Sequence, residues 1–347
     1  ADLPHSRSPT GAGRRTFLAT FLARLFSVPV MSAGMNKKKR SSTGRGVAGI
    51  ERSAVRIVLT ALQDSSEDSD LISLSSSLLQ LASSDAKERK TIMHSSTEGV
   101  GVILKSLQQL ADNFPLVQNL TVTLECLAKH KYTGKLVRKG AIPVVLSSMV
   151  SSSRSDWCTD SLLHLYHSLL LQLASKDKNF AIKARLSGAV PVTVGLLKRS
   201  HGDHTSLHTL LGLLKIMASN SANAMFMGKH GCLSVLSKLL DGVAKKNYIV
   251  LKLCAEALTP LLKQKTLVSR GWGQSCVGQL VALHKHCHLT DRQSRHLPLR
   301  RSLLLSLKAA TSSAVGTDAF RKSNGLEVIH CIRLGKVFLI PMSGKGL

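Results

Sequence analysis

Apolar residues recur along most of this chain at three- and four-residue spacing, in stretches separated by short polar breaks. Ile142, Val145, Leu146 and Met149 form one such face, and Leu233, Leu236 and Leu240 form another. The same spacing predicts helices over 71–81, 116–127, 162–173, 207–217 and 249–262. Pro260 is expected to kink or end the last of these, because it lacks a donor and clashes with the preceding turn. Asp64, Glu67, Asp68 and Asp70 precede the first, where negative charge and a capping side chain favour a helix N-terminus, so the run reads as cap and linker.

A phrase returns between these helices: a polar residue, a glycine, then an apolar helix start. Its glycines are Gly99, Gly140, Gly188, Gly231, Gly271 and Gly325, at intervals of 41, 48, 43, 40 and 54 residues. Glycine ends a helix by accepting a left-handed backbone, and Pro143 and Pro191 sit where a new helix tolerates a missing N–H. Armadillo and HEAT units repeat every ~40–47 residues, so the last interval calls for an insertion. One unit cannot bury its own apolar face, and neighbours must stack into a continuous core. The predicted fold is therefore all-α, an armadillo/HEAT-like right-handed α-solenoid over 51–330, with a disordered basic leader (1–50) and a non-repeat tail (331–347).

Composition agrees with packed helices: only 4% of the 347 residues are aromatic, and leucine dominates the apolar 44%. The charge changes the picture more. Of a formal +27, the leader carries +8 and the repeat region +16, so the folded part is basic in its own right and attracts polyanions. Seven widely spaced cysteines without a C-x-x-C pair (Cys126, Cys158, Cys232, Cys254, Cys276, Cys287, Cys331) indicate free buried thiols in a reducing compartment. Asn119 opens an N-x-T sequon that such a compartment leaves inert.

The leader contains one hydrophobic stretch, Phe17 to Val30, which Arg24 interrupts; it is too short and too charged to span a bilayer. Arg14 and Arg15 before it allow an organelle-targeting or twin-arginine reading, set against an unfolded leader, with Met31 and Met35 as alternative starts. Lys37-Lys38-Lys39-Arg40 is a candidate nuclear import signal or polyanion contact.

Catalytic signatures are missing. The densest set of metal-ligand types is His284, His286, Cys287, His288 and His296, but Lys285, Arg292, Arg295, Arg300 and Arg301 flank it and would repel a cation. It reads instead as a basic inter-helix insertion, which accounts for the long last interval. His201, His204 and His208 approach helical spacing, although Gly202 and Asp203 put the first in a loop; His164 and His167 read as packed or surface residues. Gly44-Arg45-Gly46-Val47-Ala48-Gly49 has the dinucleotide glycine spacing yet follows a lysine tract rather than a strand.

Several phrases resemble the N-terminal armadillo region of the cytosolic carboxypeptidases, also called the ATP/GTP-binding-protein-like family, most of all its types one and four. They are the run from Lys176 to Ala189, Ser219 to Asn223 with Gly228 to Gly231, Leu261 to Thr266, Arg300 to Lys308, and Phe320 to Leu326, within 51–330. The resemblance implies a zinc carboxypeptidase that removes glutamates from tubulin and other acidic tails, with its catalytic domain C-terminal to the repeats. It also implies zinc bound by an H-x-x-E pair and a later histidine. No histidine here has a glutamate three positions on, and His288 with Asp291 is the nearest approach, so no catalytic residue carries over and no cofactor is expected in this chain. The match stops near His330, and the tail beyond it reads as a truncated or mis-spliced end.

The expected function is a non-catalytic module that binds acidic protein tails, tubulin among them, in the cytosol and also the nucleus. A nucleic-acid or nuclear adaptor is the alternative; few aromatics are available for base stacking. A solenoid's concave face offers one helix per repeat to an extended ligand, and Lys198, Arg199, Lys238, Lys245 and Lys246, on or just beyond those helices, are the candidate contacts.

Overall fold

The fold was obtained as a computed structural model, which describes residues 53–110, 112–200, 204–242, 247–269, 272–291 and 295–333. The expectations for the leader, the tail beyond Arg333, Lys245, Lys246, His201 and Gly271 concern residues outside these ranges.

Among the described residues there is no strand. The chain opens with α1 (Ala54–Asp64), α2 (Asp68–Ser84) and α3 (Ala86–Ile92). The next two units are α4 (Gly99–Gln109), α5 (Phe114–Leu127) and α6 (Thr133–Arg138), then α7 (Ala141–Ser152), α8 (Asp160–Ala174) and α9 (Phe180–Leu186). They are followed by α10 (Ala189–Arg199), α11 (His204–Ala218) and α12 (Ser221–Lys229), then α13 (Cys232–Asp241), α14 (Tyr248–Leu262) and α15 (Lys265–Val268). Last come α16 (Trp272–Thr290), α17 (Leu297–Ala310), α18 (Ala314–Lys322) and α19 (Gly325–Arg333), the final helix running three residues past the expected repeat boundary.

Three helices thus make each unit. The long helices α2, α5, α8, α11, α14 and α17 pack in sequence as one row, and α1, α4, α7, α10, α13, α16 and α19 pack as a second. The apolar spacing predicts five of the six long helices, and each of these begins before and ends at or after its predicted stretch; α17 has no such prediction.

The period is written into the hydrogen bonds between units. Asn119 Nδ2 donates to Ser75 Oγ (3.1 Å), Ser168 Oγ to Glu125 Oε1 (2.5 Å) and Ser306 Oγ to the Ala255 carbonyl (2.8 Å), each across about one repeat. The Asn119 sequon therefore lies inside the packed row, with Thr121 fully buried. Leucines fill the rest of that interface, among them Leu78, Leu124, Leu170, Leu214 and Leu258, all with no exposed surface. Side chains of the short helices close the long ones: Arg89 donates to the carbonyls of Ala82 and Ser83, which the end of α2 leaves without an intrahelical partner.

The glycine phrase works in two ways. Gly140, Gly188 and Gly231 have φ of 81°, 80° and 78° and cap the N-termini of α7, α10 and α13 as expected. At Gly99 and Gly325 the left-handed residue is the one before, Glu98 (φ 46°) and Asn324 (φ 56°). Glycine is needed there for room instead: a Cβ on Gly325 would stand 2.2 Å from the Phe320 ring, and one on Gly99 2.8 Å from the Ile92 carbonyl. Replacing Glu98 by glycine should consequently raise stability by up to about 1 kcal/mol, whereas Gly188→Ala should lower it by about 1–2 kcal/mol. Urea titrations of the two variants check the opposite signs.

Three local expectations need correction. Pro260 does not end α14, which continues to Leu262; in the last turn the missing N–H costs a single hydrogen bond. Asp68 and Asp70 occupy the first turn of α2, but no side chain caps it, so only their charge contributes. The extra residues of the last interval are not an inter-helix insertion. They lengthen α16 to 19 residues against nine to twelve in the other helices of its row, so His284, His286, Cys287 and His288 are helical.

Candidate binding surface

The candidate cations that can be placed lie on the second row. Arg199, at the end of α10, is held by Asp160 of α8 through Nη2–Oδ1 (2.8 Å) and Nε–Oδ1 (3.2 Å). That hydrogen bond keeps the Asp160 carboxyl below its usual range and raises the Arg199 guanidinium. Lys198 is exposed, its ammonium close to Gly231 and to buried Cys232. Lys238 is exposed on α13. Arg199 therefore stiffens the α8–α10 junction, and the candidates do not line the row of long helices.

That row has a surface of its own. Counted back from Ala82, Ala128, Ala174, Ala218, Leu262 and Ala310, which lie at or within two residues of the ends of the six long helices, positions two, six, nine and thirteen residues earlier are exposed or half-buried in every case. They form a continuous outward stripe because i, i+4, i+7 and i+11 share one helix face. In α2 these residues are Ser69, Ser73, Ser76 and Gln80; in α17 they are Leu297, Arg301, Leu304 and Lys308. The stripe changes from hydroxyl-rich to apolar and cationic along the stack.

Glu256 on α14 is the acidic centre of the latter half. Its carboxylate takes Lys215 Nζ at 2.7 Å, Lys252 Nζ at 3.8 Å and the Ser302 hydroxyl at 3.3 Å. One carboxylate thus faces two ammonium groups, leaving a positive surplus beside a cleft of about 360 Å³ lined by Lys215, Ser219, Glu256, Pro260 and Lys263. None of Lys215, Lys252, Lys263, Arg301 and Lys308 is among the contacts expected from the sequence. Aligning the long helices on their C-termini would have found the stripe positions, but which face stays uncovered is a matter of packing.

The histidine cluster is dispersed. His284 is 1% exposed, and among the described residues neither ring nitrogen has a hydrogen-bond partner; burial, then Arg300 and His288, pushes its pKa down to about 4. His288 accepts from Arg300 Nη2 at 3.1 Å, and His296 stacks on Tyr248 at 3.6 Å. No group of three His, Cys, Asp or Glu side chains among the described residues is placed to hold a metal ion. His204 and His208 lie on α11, the first half-buried and the second exposed. His167 is wholly buried, with Nδ1 on the Leu163 carbonyl (2.6 Å) and Nε2 on the Thr193 hydroxyl (3.0 Å).

The thiols offer no nucleophile in the core. Burial pushes Cys232 and Cys276 up to about 12 and raises Cys254 well above the ordinary thiol value, so all three stay protonated at neutral pH. No disulfide forms among the described cysteines, of which Cys126, Cys158 and Cys331 are half-buried.

Three stacked helices per unit and an uninterrupted outward stripe define an armadillo-type helical-repeat scaffold. A solved structure of computationally designed armadillo repeat proteins for modular peptide recognition aligns with a TM-score of 0.54 at 16% identity, over 74% of this chain and 99% of that one. The chain belongs to the family described as CCP1-like, N-terminal TPR repeats, which matches residues 53–333. Its units are armadillo-like all the same, since a TPR unit has two helices in ~34 residues. Cytosolic carboxypeptidase 1 of Danio rerio is 30% identical over 85% of this chain and 26% of its own length. Cytosolic carboxypeptidase 4 of Mus musculus is 27% identical over 67% of this chain and 21% of its own. The chain thus spans about a quarter of the length of these relatives.

Proposed function

We propose that this chain is a non-catalytic interaction module that binds acidic protein segments, glutamate-rich tails such as those of tubulin among them, in the cytoplasm. The observation that carries the reading is the +16 excess over 51–330, combined with a row of long helices whose latter half has two lysines on one carboxylate. An extended acidic chain laid along that row would exchange Glu256 for its own carboxylates and meet cations at each step. The family and the cytosolic names of its relatives support the setting, and a fold shared with proteins designed for peptide recognition supports the mode.

A nucleic-acid scaffold would draw on the same charge. The stripe has no aromatic residue in the positions named for α2 and α17, which removes the stacking platforms that single strands use.

The test is a titration of the chain with a labelled glutamate-rich peptide. Affinity should fall at least about tenfold between about 50 and about 200 mM salt, and DNA should compete poorly. Salt-insensitive binding, or tighter binding to DNA, would reject the assignment.

A further inference from the structure

The two ends of the long-helix stripe differ in chemistry, and that difference bears on what the ligand must carry. In α2 the stripe is made of serine and glutamine, and in α5 and α8 Val122 and Leu165 enter it among Asn119, Ser161, Ser168 and Gln172. In α14 it becomes Ile249, Leu253, Glu256 and Pro260, and in α17 Leu297 and Leu304 alternate with Arg301 and Lys308. Ile249 is 62% exposed, Leu297 58% and Leu304 41%, and Leu305 beside them is 49% exposed. Among the described residues nothing covers these side chains, and apolar side chains of this size gain free energy when covered.

We propose that α14 and α17 form the anchoring end of the surface, and that its occupant is an extended acidic segment carrying leucine- or phenylalanine-sized side chains among its carboxylates. The inference rests on the acidic-segment reading and adds to it: charge brings the segment in, and apolar contact fixes its register. Two features point to this occupant over a neutral apolar one. Arg301 lies four residues from Leu297 and three from Leu304, and Lys308 lies four beyond Leu304, so on a helix each exposed leucine has a cation beside it. Carboxylates flanking an apolar anchor would meet those cations, whereas a purely apolar partner would bury them unpaired. A peptide of glutamates alone would pair the charges and leave the leucines wet.

The experiment compares two labelled peptides of equal charge on the full chain, one of glutamate, glycine and serine, the other with two of its serines replaced by leucine. The leucine peptide should bind about tenfold tighter or better. Leu297→Ser and Leu304→Ser should each remove much of that gain and leave the serine peptide's affinity and the salt dependence unchanged. Both positions are exposed, and unaltered thermal melting of the variants would show that the fold is retained. Equal binding of the two peptides overturns the anchor and leaves the acidic-segment reading standing. Failure of both peptides to bind overturns the two together. Self-association of the chain that Leu304→Ser abolishes would make a second copy the occupant and equally overturn the proposal.

Discussion

Acidification from pH 6.5 to about 4 should cost the folded chain up to roughly 5 kcal/mol through two buried histidines, His167 and His284. Both are held neutral in the fold with pKa values near 4, His167 chiefly by burial and His284 by burial with Arg300 next to it. Unfolded, each takes up a proton at about 6.5. Above that pH neither state is protonated and the histidines leave stability unchanged. As pH falls through the window the unfolded chain gains protons that the native chain refuses, and the loss levels off only below pH 4, once the native histidines are protonated too. Asp160 and Asp177 act later, because their carboxyls titrate below the ordinary 3.8: Asp160 through Arg199, and Asp177 because Lys183 and the Asn179 N–H outweigh its burial. Urea midpoints measured across the range should show the decline. His284→Leu separates the two histidines, since it deletes an imidazole without partners and fills the same space. It should halve the slope and add about 1–3 kcal/mol at pH 7. An unchanged slope would count against the buried, neutral His284.

Asn223→Ala should cost about 2–5 kcal/mol at neutral pH. The side chain is fully buried on α12, and its Nδ2 donates to the Ala181 carbonyl of α9 (2.6 Å) and to the Met217 carbonyl of α11 (3.0 Å). Alanine would leave both carbonyls buried without that donor at the middle of the stack. Because each unit touches only its neighbours, the damage should also divide the array. Hydrogen exchange should then show units on the two sides of α12 opening separately, whereas a uniform change along the chain would argue against a nearest-neighbour stack.

Much of the architecture was legible because its signals are local. Gly140, Gly188 and Gly231 adopt the left-handed cap, and the apolar spacing placed five of the six long helices within a few residues. The family was legible from the phrase around Lys176 to Ala189 and its companions, which specify more than a period. The surface was not. Arg199 read as a free cation because Asp160 is 39 residues away, and proximity of that kind arises only when α10 folds against α8. The histidine run read as a loop because its basic neighbours resemble a solvated insertion, while in the fold α16 simply extends and buries His284 and Cys287.

The sequence by itself determined that the chain is helical, that its helices come in glycine-punctuated units, and that those units must stack, since periodicity and backbone preference act over a few residues. Only the tertiary structure decided which face of each long helix its neighbours leave uncovered, which lysines share Glu256, and why Gly99 and Gly325 admit no larger residue. Those depend on atoms brought together across a whole repeat, and no short-range pattern encodes which neighbour will cover a given side chain.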